Sequence, residues 1–317
     1  MGRRRRGKPI HGWLVIDKPA DMTSTEVVGK VRRLMDAAKA GHAGTLDPMA
    51  TGVLPLALGE ATKTVSFAMD RTKTYRFTVR WGIATDTDDA EGKETATSEV
   101  RPDADAIAAV LPRFLGEISQ VPPAYSAIKV QGERAYDLAR EGEEVVLAPR
   151  IVAIHGLRLL DLPDRDHAVM EADCGKGTYM RALARDIAVA LGTFGHLSTL
   201  CRTRVGPFLL DDAIGLHQLE ALVDRGEANS ALLPVDAPLD DIPAVTLTEP
   251  EAHRMRRGQP VSLLRRSDRD RLAGLSPDDR TGGVVLARVN LLPVALARLD
   301  GAELKPVRVL NLQTQDA

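Results

Sequence analysis

A strict alternation of side chains over residues 75–81 limits the accessible folds more than any other feature of the sequence. Tyr75, Phe77, Val79 and Trp81 are aromatic or apolar, and arginine or threonine stands between them. Successive side chains of a strand point to opposite faces, so this pattern predicts a strand that buries one face. Such a strand is stable only within a larger sheet, which the rest of the chain must supply.

Segments on both sides of this strand carry further helix and strand patterns. Apolar residues recur at helical spacing after Thr23 or Ser24, either of which could cap a helix. Helices are predicted from this cap to about residue 38, and over 60–69, 103–115 and 179–191. Strands are predicted over 12–17, 151–160, 167–173, 283–289, 293–299 and 307–312.

Composition predicts three parts along the chain. Residues 1–10 include four consecutive arginines and are expected to form a basic, disordered tail. A main domain is expected over 11–245, and its last part, the proline-rich stretch 233–245, indicates a linker. Within it, 126–146 is charged and poor in apolar residues, which indicates a mobile excursion. Residues 246–317 predict a small β-rich domain.

Overall composition narrows the class of protein. The chain has 317 residues, of which 44% are hydrophobic and 27% charged, as in ordinary soluble proteins. It has no apolar run of membrane-spanning length and no apolar segment after its arginine-rich start, so we expect cytoplasmic residence. Two cysteines and seven histidines without metal-ligand spacing predict neither a disulfide framework nor a metal site.

Local charge is more informative than the net charge of −2. Basic residues cluster over 176–204 and again over 253–271. Such stripes can follow a phosphate backbone even on a neutral protein, and equally they can be a solvated surface. Cys174, at the end of a predicted strand, is expected to be a packed, unreactive thiol.

The most informative segment for chemistry is 41–59, which contains four glycines and two prolines. Asp47 precedes Pro48, and a residue before proline is restricted to extended backbone conformations. Nearby glycines allow the backbone to approach a ligand closely. Asp47 is therefore either a positioned catalytic carboxylate or simply part of an Asp-Pro turn.

A second segment, 173–181, places a cation where a helix should begin. Thr178 can cap this helix, and Arg181 then lies in its first turn, where a positive charge opposes the helix dipole by about 0.3–1 kcal/mol. This conflict implies a compensating carboxylate or RNA phosphate, unless the side chain only extends into water. Gly-Lys-Gly-Thr lacks the spacing of a phosphate-binding loop, which excludes nucleotide hydrolysis.

Tyr75 is the third candidate. Its phase in the predicted strand puts it on the buried face, so it is either a core tyrosine or an aromatic that stacks on an extruded base.

Together these segments resemble the bacterial tRNA pseudouridine synthases of the TruB type. The run GHAGTLDPMATGVLPLALGEATK at 41–63 matches the catalytic stretch of the family almost throughout. The other motifs follow in the same order, and the match covers about residues 10–210. They are Asp17-Lys18-Pro19 with Thr23-Ser24, Lys73-Thr74-Tyr75, Cys174 to Arg181, and Leu200 with Arg202. Asp21 stands where the family usually has glycine, and aspartate tolerates the left-handed backbone.

The resemblance implies an α+β fold, namely a mixed, largely antiparallel sheet with flanking helices, plus a small C-terminal domain of PUA type over 246–317. In the family a thumb-like insertion closes over RNA, and 126–146 occupies the corresponding place. The implied reaction is isomerisation of uridine to pseudouridine at position 55, in the T loop of tRNA. It requires no cofactor and no metal. A monomer that acts on the T stem-loop without a guide RNA is expected.

The resemblance also implies a role for each site residue. Asp47 is the nucleophile, which attacks either C6 of uracil or C1′ of ribose. Tyr75 stacks on the flipped uracil and is a candidate base for the C5 proton, and Arg181 pairs with Asp47. The remaining candidates bind substrate, and they are His42, which would enter the RNA where the base left the stack, Tyr179 and Leu200, which would line the uracil pocket, and Lys18.

Two other functions use the same features. A tRNA-folding chaperone would need base flipping without chemistry, and it has no use for the set of Asp47, Tyr75 and Arg181. An RNA-guided synthase would need a ribonucleoprotein, and the thumb-like stretch argues against it. The substitution Asp47→Asn separates catalysis from binding, and activity on a tRNA transcript alone excludes an obligatory guide.

Overall fold

A computed structural model describes residues 7–125, 129–130, 133–134, 147–263, 272 and 283–312. Its strands form a nine-stranded sheet, a five-stranded sheet and two short hairpins. The strands before the C-terminal sheet are β1 Gly12–Lys18, β2 Ala40–His42, β3 Thr51–Leu58, β4 Lys73–Trp81, β5 Ile83–Thr85, β6 Glu94–Thr97, β7 Gly116–Gln120, β8 Lys129–Val130, β9 Glu133–Arg134, β10 Arg150–Asp164, β11 His167–Cys174, β12 Gly195–Val205 and β13 Phe208–Leu209.

The large sheet is mixed and mostly antiparallel, as predicted. Its strand order is β1-β3-β12-β4-β11-β10-β7, with β2 paired to β3 and β13 to β12. Only the pairing of β12 with β3 is parallel among these described ladders. The alternating segment 75–81 lies within β4, at the centre of the sheet, and Phe77, Val79 and Trp81 are buried there.

Four of the helices overlap the predicted ranges, whereas those over 216–224 and 249–256 were not predicted, and the last packs on the C-terminal strands. The α-helices are α1 Ser24–Leu34, α2 Val65–Asp70, α3 Ala104–Val110, α4 Met180–Ala190, α5 Leu216–Asp224 and α6 Glu249–Arg256. Thr23 caps α1 through a capping box with Glu26. This helix ends at Leu34 rather than near residue 38, because Asp36 adopts a left-handed backbone with φ 49°. Thr178 does not cap α4, since the N-cap is Tyr179 and the Thr178 hydroxyl bonds to the Gly175 carbonyl.

The C-terminal sheet consists of β14 Ala244–Thr246, β15 Val261–Ser262, β16 Val284–Val289, β17 Leu292–Asp300 and β18 Glu303–Val309. Its order is β14-β16-β17-β18-β15. Strand β14 starts before residue 246, so the expected domain boundary falls inside a strand. The stretch 233–245 is not a free linker, because Val235 and Leu239 are buried.

One apolar cluster connects the two sheets. It runs from Trp13, Val53 and Phe208 to Val245 and Val294. A second cluster fills the space between the large sheet and helices α1 and α4. Polar links reinforce the first cluster, since the Lys63 ammonium donates to the Val309 carbonyl at 2.8 Å. The C-terminal sheet therefore packs directly on the part of the chain that forms the large sheet.

Two predicted flexible segments have different outcomes. Residues 7–10, expected in the tail, are held in place, because Lys8 pairs with Ala37 and its amide donates to the Asp36 carbonyl. Apart from the short strands β8 and β9, the thumb-like stretch 126–146 lies outside the described residues. No helix in the described ranges is long and apolar enough to cross a membrane.

Candidate active site

Asp47 lies in the loop between β2 and β3, and hydrogen bonds hold this loop on both sides of the carboxylate, to the first residue of α1 and to the segment before that helix. The Ser24 hydroxyl accepts from the Leu46 amide at 2.9 Å and lies 3.2 Å from the Leu46 carbonyl. On the other side, the Pro48 carbonyl accepts from the Asp21 amide at 2.9 Å. Asp21 has φ 63°, the left-handed conformation that its place in the motif requires. These bonds fix the backbone that carries Asp47.

Lys18 holds this loop through backbone carbonyls, and it does not line the cavity beside Asp47 that is described below. Its side chain is fully buried, and its ammonium donates to the carbonyls of Pro19, Met22 and Pro48 at 2.7, 2.5 and 2.9 Å. All three N–H groups are thus used by the backbone. Burial lowers the pKa of Lys18, and nearby acids including Asp21 and Asp47 oppose that effect. The structure corrects the predicted substrate contact to a positioning role.

Gly52 brings the Asp47 loop against β12. Its φ is 95°, and a Cβ there would lie 2.2 Å from the Arg202 carbonyl oxygen, so only glycine fits. The close approach buries Arg202, whose Nε donates to the Val53 carbonyl at 2.7 Å and whose Nη2 donates to the Gly44 carbonyl at 3.1 Å. Arg202 thereby fixes the loop from the sheet side.

Arg181 enters the site from the first turn of α4. The helix start is held by Gln120, whose side-chain oxygen accepts from the Tyr179 amide at 2.9 Å and whose amide donates to the Tyr179 carbonyl at 3.1 Å. Gln120 is itself buried at the end of β7. A side chain thus satisfies a backbone amide at the helix start, where intrahelical partners are missing.

The carboxylates of Asp47 and Asp89 compensate the positive charge of Arg181 in the first turn of this helix. Nη2 of Arg181 donates to Oδ1 of Asp47 at 3.3 Å, and Nε lies 3.0 Å from Oδ2 without hydrogen-bond alignment. Nη1 lies 3.3 Å from Oδ2 of Asp89. Further bonds reach the carbonyls of Thr87 and Tyr125 at 3.1 and 2.8 Å. The guanidinium is therefore fixed from four directions.

The three charged side chains differ in exposure. Arg181 and Asp89 keep 7% and 4% exposure, whereas Asp47 keeps 36%. Burial raises the pKa of Asp47, the Arg181 guanidinium lowers it, and Asp89 raises it further, so the net direction is upward. The upward direction fits a carboxylate that is surrounded by protein and open only towards the cavity. Arg181 limits this increase and keeps the carboxylate aimed.

A cavity of about 320 Å³ opens beside Asp47. It brings together five of the predicted site residues, namely Asp47, Tyr75, Tyr179, Arg181 and Leu200. Other lining residues include Lys73, Lys176 and Arg202, so cations outnumber the single carboxylate in the wall. The combination of an aromatic, apolar side chains and positive charge suits a flat, uncharged base attached to a phosphate backbone.

Tyr75 lies in the cavity wall as a neutral phenol. Burial raises its pKa above the ordinary value, and Arg202 opposes this increase. A raised pKa excludes a standing phenolate at neutral pH in the free protein. The geometry therefore favours the stacking role, and a role for Tyr75 as base for the C5 proton stays a prediction.

His42, like Lys18, is a predicted substrate residue that does not line this cavity. It ends β2, opposite Leu56 in β3. Its Nδ1 is buried without a hydrogen-bond partner among the described residues. Burial and the Arg202 charge lower the pKa of His42, and the Gly44 backbone opposes them, so the net direction favours the neutral imidazole. Its predicted entry into the RNA stack stays a prediction.

Several residues of the site had no predicted role, among them Asp89, Gln120 and Lys73. The segment 86–91, which contains Asp89, is rich in acidic residues, a composition that indicates only a turn. Nothing in the sequence around Gln120 indicates a role for it. Lys73 belongs to a matched motif, and its ammonium donates to the Met69 and Arg71 carbonyls at the cavity wall. Burial lowers the pKa of Lys73 to about 8. Cys174 is the packed thiol predicted, since burial raises its pKa to about 11.

Family comparisons agree with this geometry. Residues 32–180 match the N-terminal domain of the TruB family pseudouridylate synthases, and 181–240 match the tRNA pseudouridylate synthase B C-terminal domain. These two segments contain Asp47, Tyr75, Asp89 and Arg181.

Relatives match along nearly the whole chain. A tRNA pseudouridine synthase B of Bradyrhizobium diazoefficiens is 57% identical over 314 residues, which covers 98% of this chain and 88% of the relative. One from Rhodospirillum rubrum is 55% identical and covers 98% of this chain and 100% of the relative. A crystal structure of a Cbf5-Nop10-Gar1 complex contains a similar chain, with a TM-score of 0.72 and 25% identity, covering 95% of this chain and 85% of that one.

Proposed function

The chain belongs to the TruB family of pseudouridylate synthases, and on this premise we propose that it isomerises uridine 55 in the T loop of tRNA to pseudouridine. Asp47 is the nucleophile, Tyr75 stacks on the uracil, and Arg181 orients the carboxylate. The observation that carries this proposal is the Asp47–Arg181 pair, 3.0 Å apart, at the wall of a cavity that also contains Tyr75 and Leu200.

The chemistry requires a carboxylate that is ionised but not locked in a closed ion pair. Asp47 shares Arg181 with Asp89, so the guanidinium is held even when Asp47 moves to a reacting atom. Attack by Asp47, at either C6 of uracil or C1′ of ribose, allows the C1′–N1 bond to break. The uracil then turns within the cavity, and C5 bonds to C1′. The bond to Asp47 breaks because C5 displaces the carboxylate from C1′ or, on the other route, because the carboxylate is eliminated from C6. A base takes the C5 proton and N1 gains one, which restores the ring and regenerates Asp47.

The site must hold the uracil after its bond to the ribose has broken, while the ring turns. Tyr75 and Leu200 provide an aromatic and an apolar surface that retain a flat ring without fixing its rotation. The target base must first leave the RNA stack to reach the cavity. Lys73, Lys176 and Arg202 give the cavity the charge that attracts the adjacent phosphates.

Substrate and partners follow from this reaction. All atoms of the product come from the uridine, so isomerisation consumes no cofactor. We propose that the protein acts as a monomer on the T stem-loop of tRNA, without a guide RNA. In this proposal the part of the chain before β14 supplies the chemistry, and the C-terminal sheet adds contacts to the tRNA.

The test is pseudouridine mapping, by carbodiimide modification and primer extension, on an unmodified tRNA transcript. Wild-type protein alone is expected to produce a single stop in the T loop. Asp47→Asn removes the nucleophile while keeping the shape of the side chain, and product formation is expected to fall about a thousandfold or more. The affinity of the variant for tRNA, measured by filter binding, is expected to stay within severalfold.

Three other results would contradict this proposal. Tight binding of tRNA without product by the wild type would favour the chaperone or a missing guide. A primer-extension stop at another uridine would show that the protein modifies a different position of the tRNA. Loss of tRNA binding together with activity in Asp47→Asn would make Asp47 a structural residue of the loop.

A further inference from the structure

A second arginine on α4 faces the same acidic turn as Arg181. Arg181 and Arg185 are four residues apart, so they lie on one face of the helix. Asp88 and Asp89 are consecutive in the turn 86–91, and each contacts a different arginine. Nη1 of Arg181 lies 3.3 Å from Asp89, and Nη1 of Arg185 donates to Oδ2 of Asp88 at 2.7 Å.

The backbone at Asp88 makes this double contact feasible. Successive side chains of an extended chain point to opposite sides, so only one of two neighbouring aspartates would normally face the helix. Asp88 has φ 61°, a left-handed conformation that is uncommon outside glycine, asparagine and aspartate. The reversal directs both carboxylates to α4. A conformation of this kind persists only where surrounding contacts maintain it.

The contacts of Arg185 provide that support. Its Nε donates to Asp186 at 2.9 Å, and its Nη2 donates to the Val121 carbonyl at 2.9 Å. Asp88 keeps only 15% exposure, so its carboxylate depends on Arg185 for charge compensation. The Asp88 carbonyl also accepts from the Leu197 amide at 3.0 Å, which joins the turn to β12. Helix, sheet and turn therefore meet at this pair.

Asp89 depends on the same turn for its direction. Its Oδ1 accepts from the Thr87 hydroxyl at 2.5 Å and from the Glu91 amide at 3.0 Å, both within the turn. Its free oxygen, Oδ2, is the one near Arg181. A displacement of the turn would move Asp89 together with the Thr87 carbonyl, which also binds Arg181.

We propose that Arg185 and Asp88 form a positioning pair for the isomerisation, since they hold the turn 86–91 in the conformation that keeps Arg181 directed at Asp47. The pair touches neither the cavity nor Asp47, and its effect on the reaction passes through Asp89 and Arg181. This role rests on the proposed function of Asp47 as the nucleophile.

The test uses two substitutions that keep side-chain size. Asp88→Asn removes the charge and still tolerates the left-handed backbone. Arg185→Met removes the cation and keeps most of the stem. Each is expected to reduce the single-turnover rate of pseudouridine formation by roughly 10- to 100-fold, as misplacement by about 1 Å can. The Kd for tRNA is expected to stay within twofold, because the cavity is unchanged.

The pH profile separates positioning from simple loss of stability. With Arg181 less well directed, Asp47 loses part of the interaction that lowers its pKa, so the acid limb of the rate should move to higher pH. Asp186, Arg181 and Arg185 are the other charges that act on Asp88 and remain in Asp88→Asn. The control Asp166→Asn removes the partner of Arg101 on another surface, and it should change neither the rate nor the profile.

A double variant tests whether the two residues act as one unit. Asp88→Asn with Arg185→Met should be no slower than the slower single variant, and Arg185→Lys should recover most of the rate. Multiplied losses in the double variant, or a lower melting temperature with a wild-type rate and pH profile, would overturn the proposal. Wild-type protein without product would refute the proposed function and this role with it. An active wild type with an unaffected Asp88→Asn would refute the positioning role alone.

Discussion

The walls of the cavity and the C-terminal sheet are stabilised in opposite ways. Around the cavity, Lys18, Lys73, Arg181 and Arg202 are all buried cations, each with carbonyl or carboxylate partners. In the described part of 244–312, by contrast, the fully buried side chains are apolar. Burying a charge is unfavourable unless it is paired, whereas burying an apolar side chain is favourable by itself.

This difference supports the proposal that the reaction takes place in the cavity. The cavity walls keep charges in a dry setting where they can act on a substrate, and every such charge depends on particular partners. The stability of the C-terminal sheet depends instead on how well its buried apolar side chains fill the core. Removing one group from the cavity walls should therefore affect activity and stability together, whereas removing one group from the sheet core should affect stability alone.

The largest expected effect comes from Arg181→Met. It leaves Asp47 and buried Asp89 without their cation, which should lower the free energy of unfolding by about 3–5 kcal/mol. The rate of pseudouridine formation should fall about a thousandfold or more. Urea unfolding and single-turnover kinetics measure the two effects. Arg181→Lys should recover part of the stability but little activity, because one ammonium cannot bind both carboxylates as the guanidinium does. An Arg181→Met variant with wild-type stability and activity would contradict the view that the cavity walls depend on particular charge partners.

The second prediction concerns Leu304, which is fully buried between the strands and helix of the C-terminal unit. Leu304→Ala should lower the free energy of unfolding by about 2–5 kcal/mol, through lost burial and the cavity that remains. The rate per folded molecule should stay at the wild-type value. Val307→Ala is the control, since Val307 is 51% exposed and its loss should change little. A reduced rate for folded Leu304→Ala would show that the sheet core also shapes the active site.

The same contrast explains which features the sequence could predict. The central strand was visible because the alternation from Tyr75 to Trp81 is a local pattern. Arg181 was visible because a cation at a helix start conflicts with the helix dipole, and Asp47 was visible as a carboxylate before proline in a stiff, glycine-rich loop. The resemblance to the TruB family then assigned a role to each of these two residues.

Features that depend on long-range packing were not visible. Gln120 caps α4 from 59 positions away, and nothing around it in sequence marks that role. Lys18 lies in a matched motif, and only the folded chain places its ammonium under Pro48 rather than in the cavity. The boundary before residue 246 failed for a similar reason, since β14 is defined by its partner β16.

A moderate effect is expected from the pH dependence of Lys73. Its pKa of about 8 means that the cavity loses one positive charge as pH rises through that value. The affinity for tRNA should then decrease roughly fivefold between pH 7 and 9, the factor for about 1 kcal/mol between unit charges 4 Å apart in water. Lys73→Met should bind weakly at both pH values. A wild-type affinity that does not change over this range would contradict the assignment.

Raising the pH through the pKa of Lys73 should weaken tRNA binding but increase the free energy of unfolding. The ammonium of Lys73 is buried, so the folded state binds its proton less tightly than the unfolded state does, which has the ordinary pKa of 10.5. Stability attributable to this group should therefore rise as pH increases from about 8 towards 10.5, and Lys73→Met should lack this rise. Urea unfolding at pH 7.5 and 9.5 measures it. Loss of binding together with a gain of stability would be the signature of a buried functional charge.

The smallest expected effect is at the surface of the C-terminal unit. If that unit binds tRNA through its basic stripe, Arg254 on helix α6 is an exposed candidate for one phosphate contact. Arg254→Gln should then reduce the slope of log affinity against log salt by roughly 0.7–0.9, the share of one contact, without changing the single-turnover rate at saturating protein. Arg113→Gln, an exposed arginine of the main domain, is the matched control. Equal slopes for wild type and Arg254→Gln would remove Arg254 from the interface. A slower saturated rate would instead mean that the C-terminal unit takes part in placing the uridine, and the separation between a charged reactive region and an apolar supporting one would no longer hold.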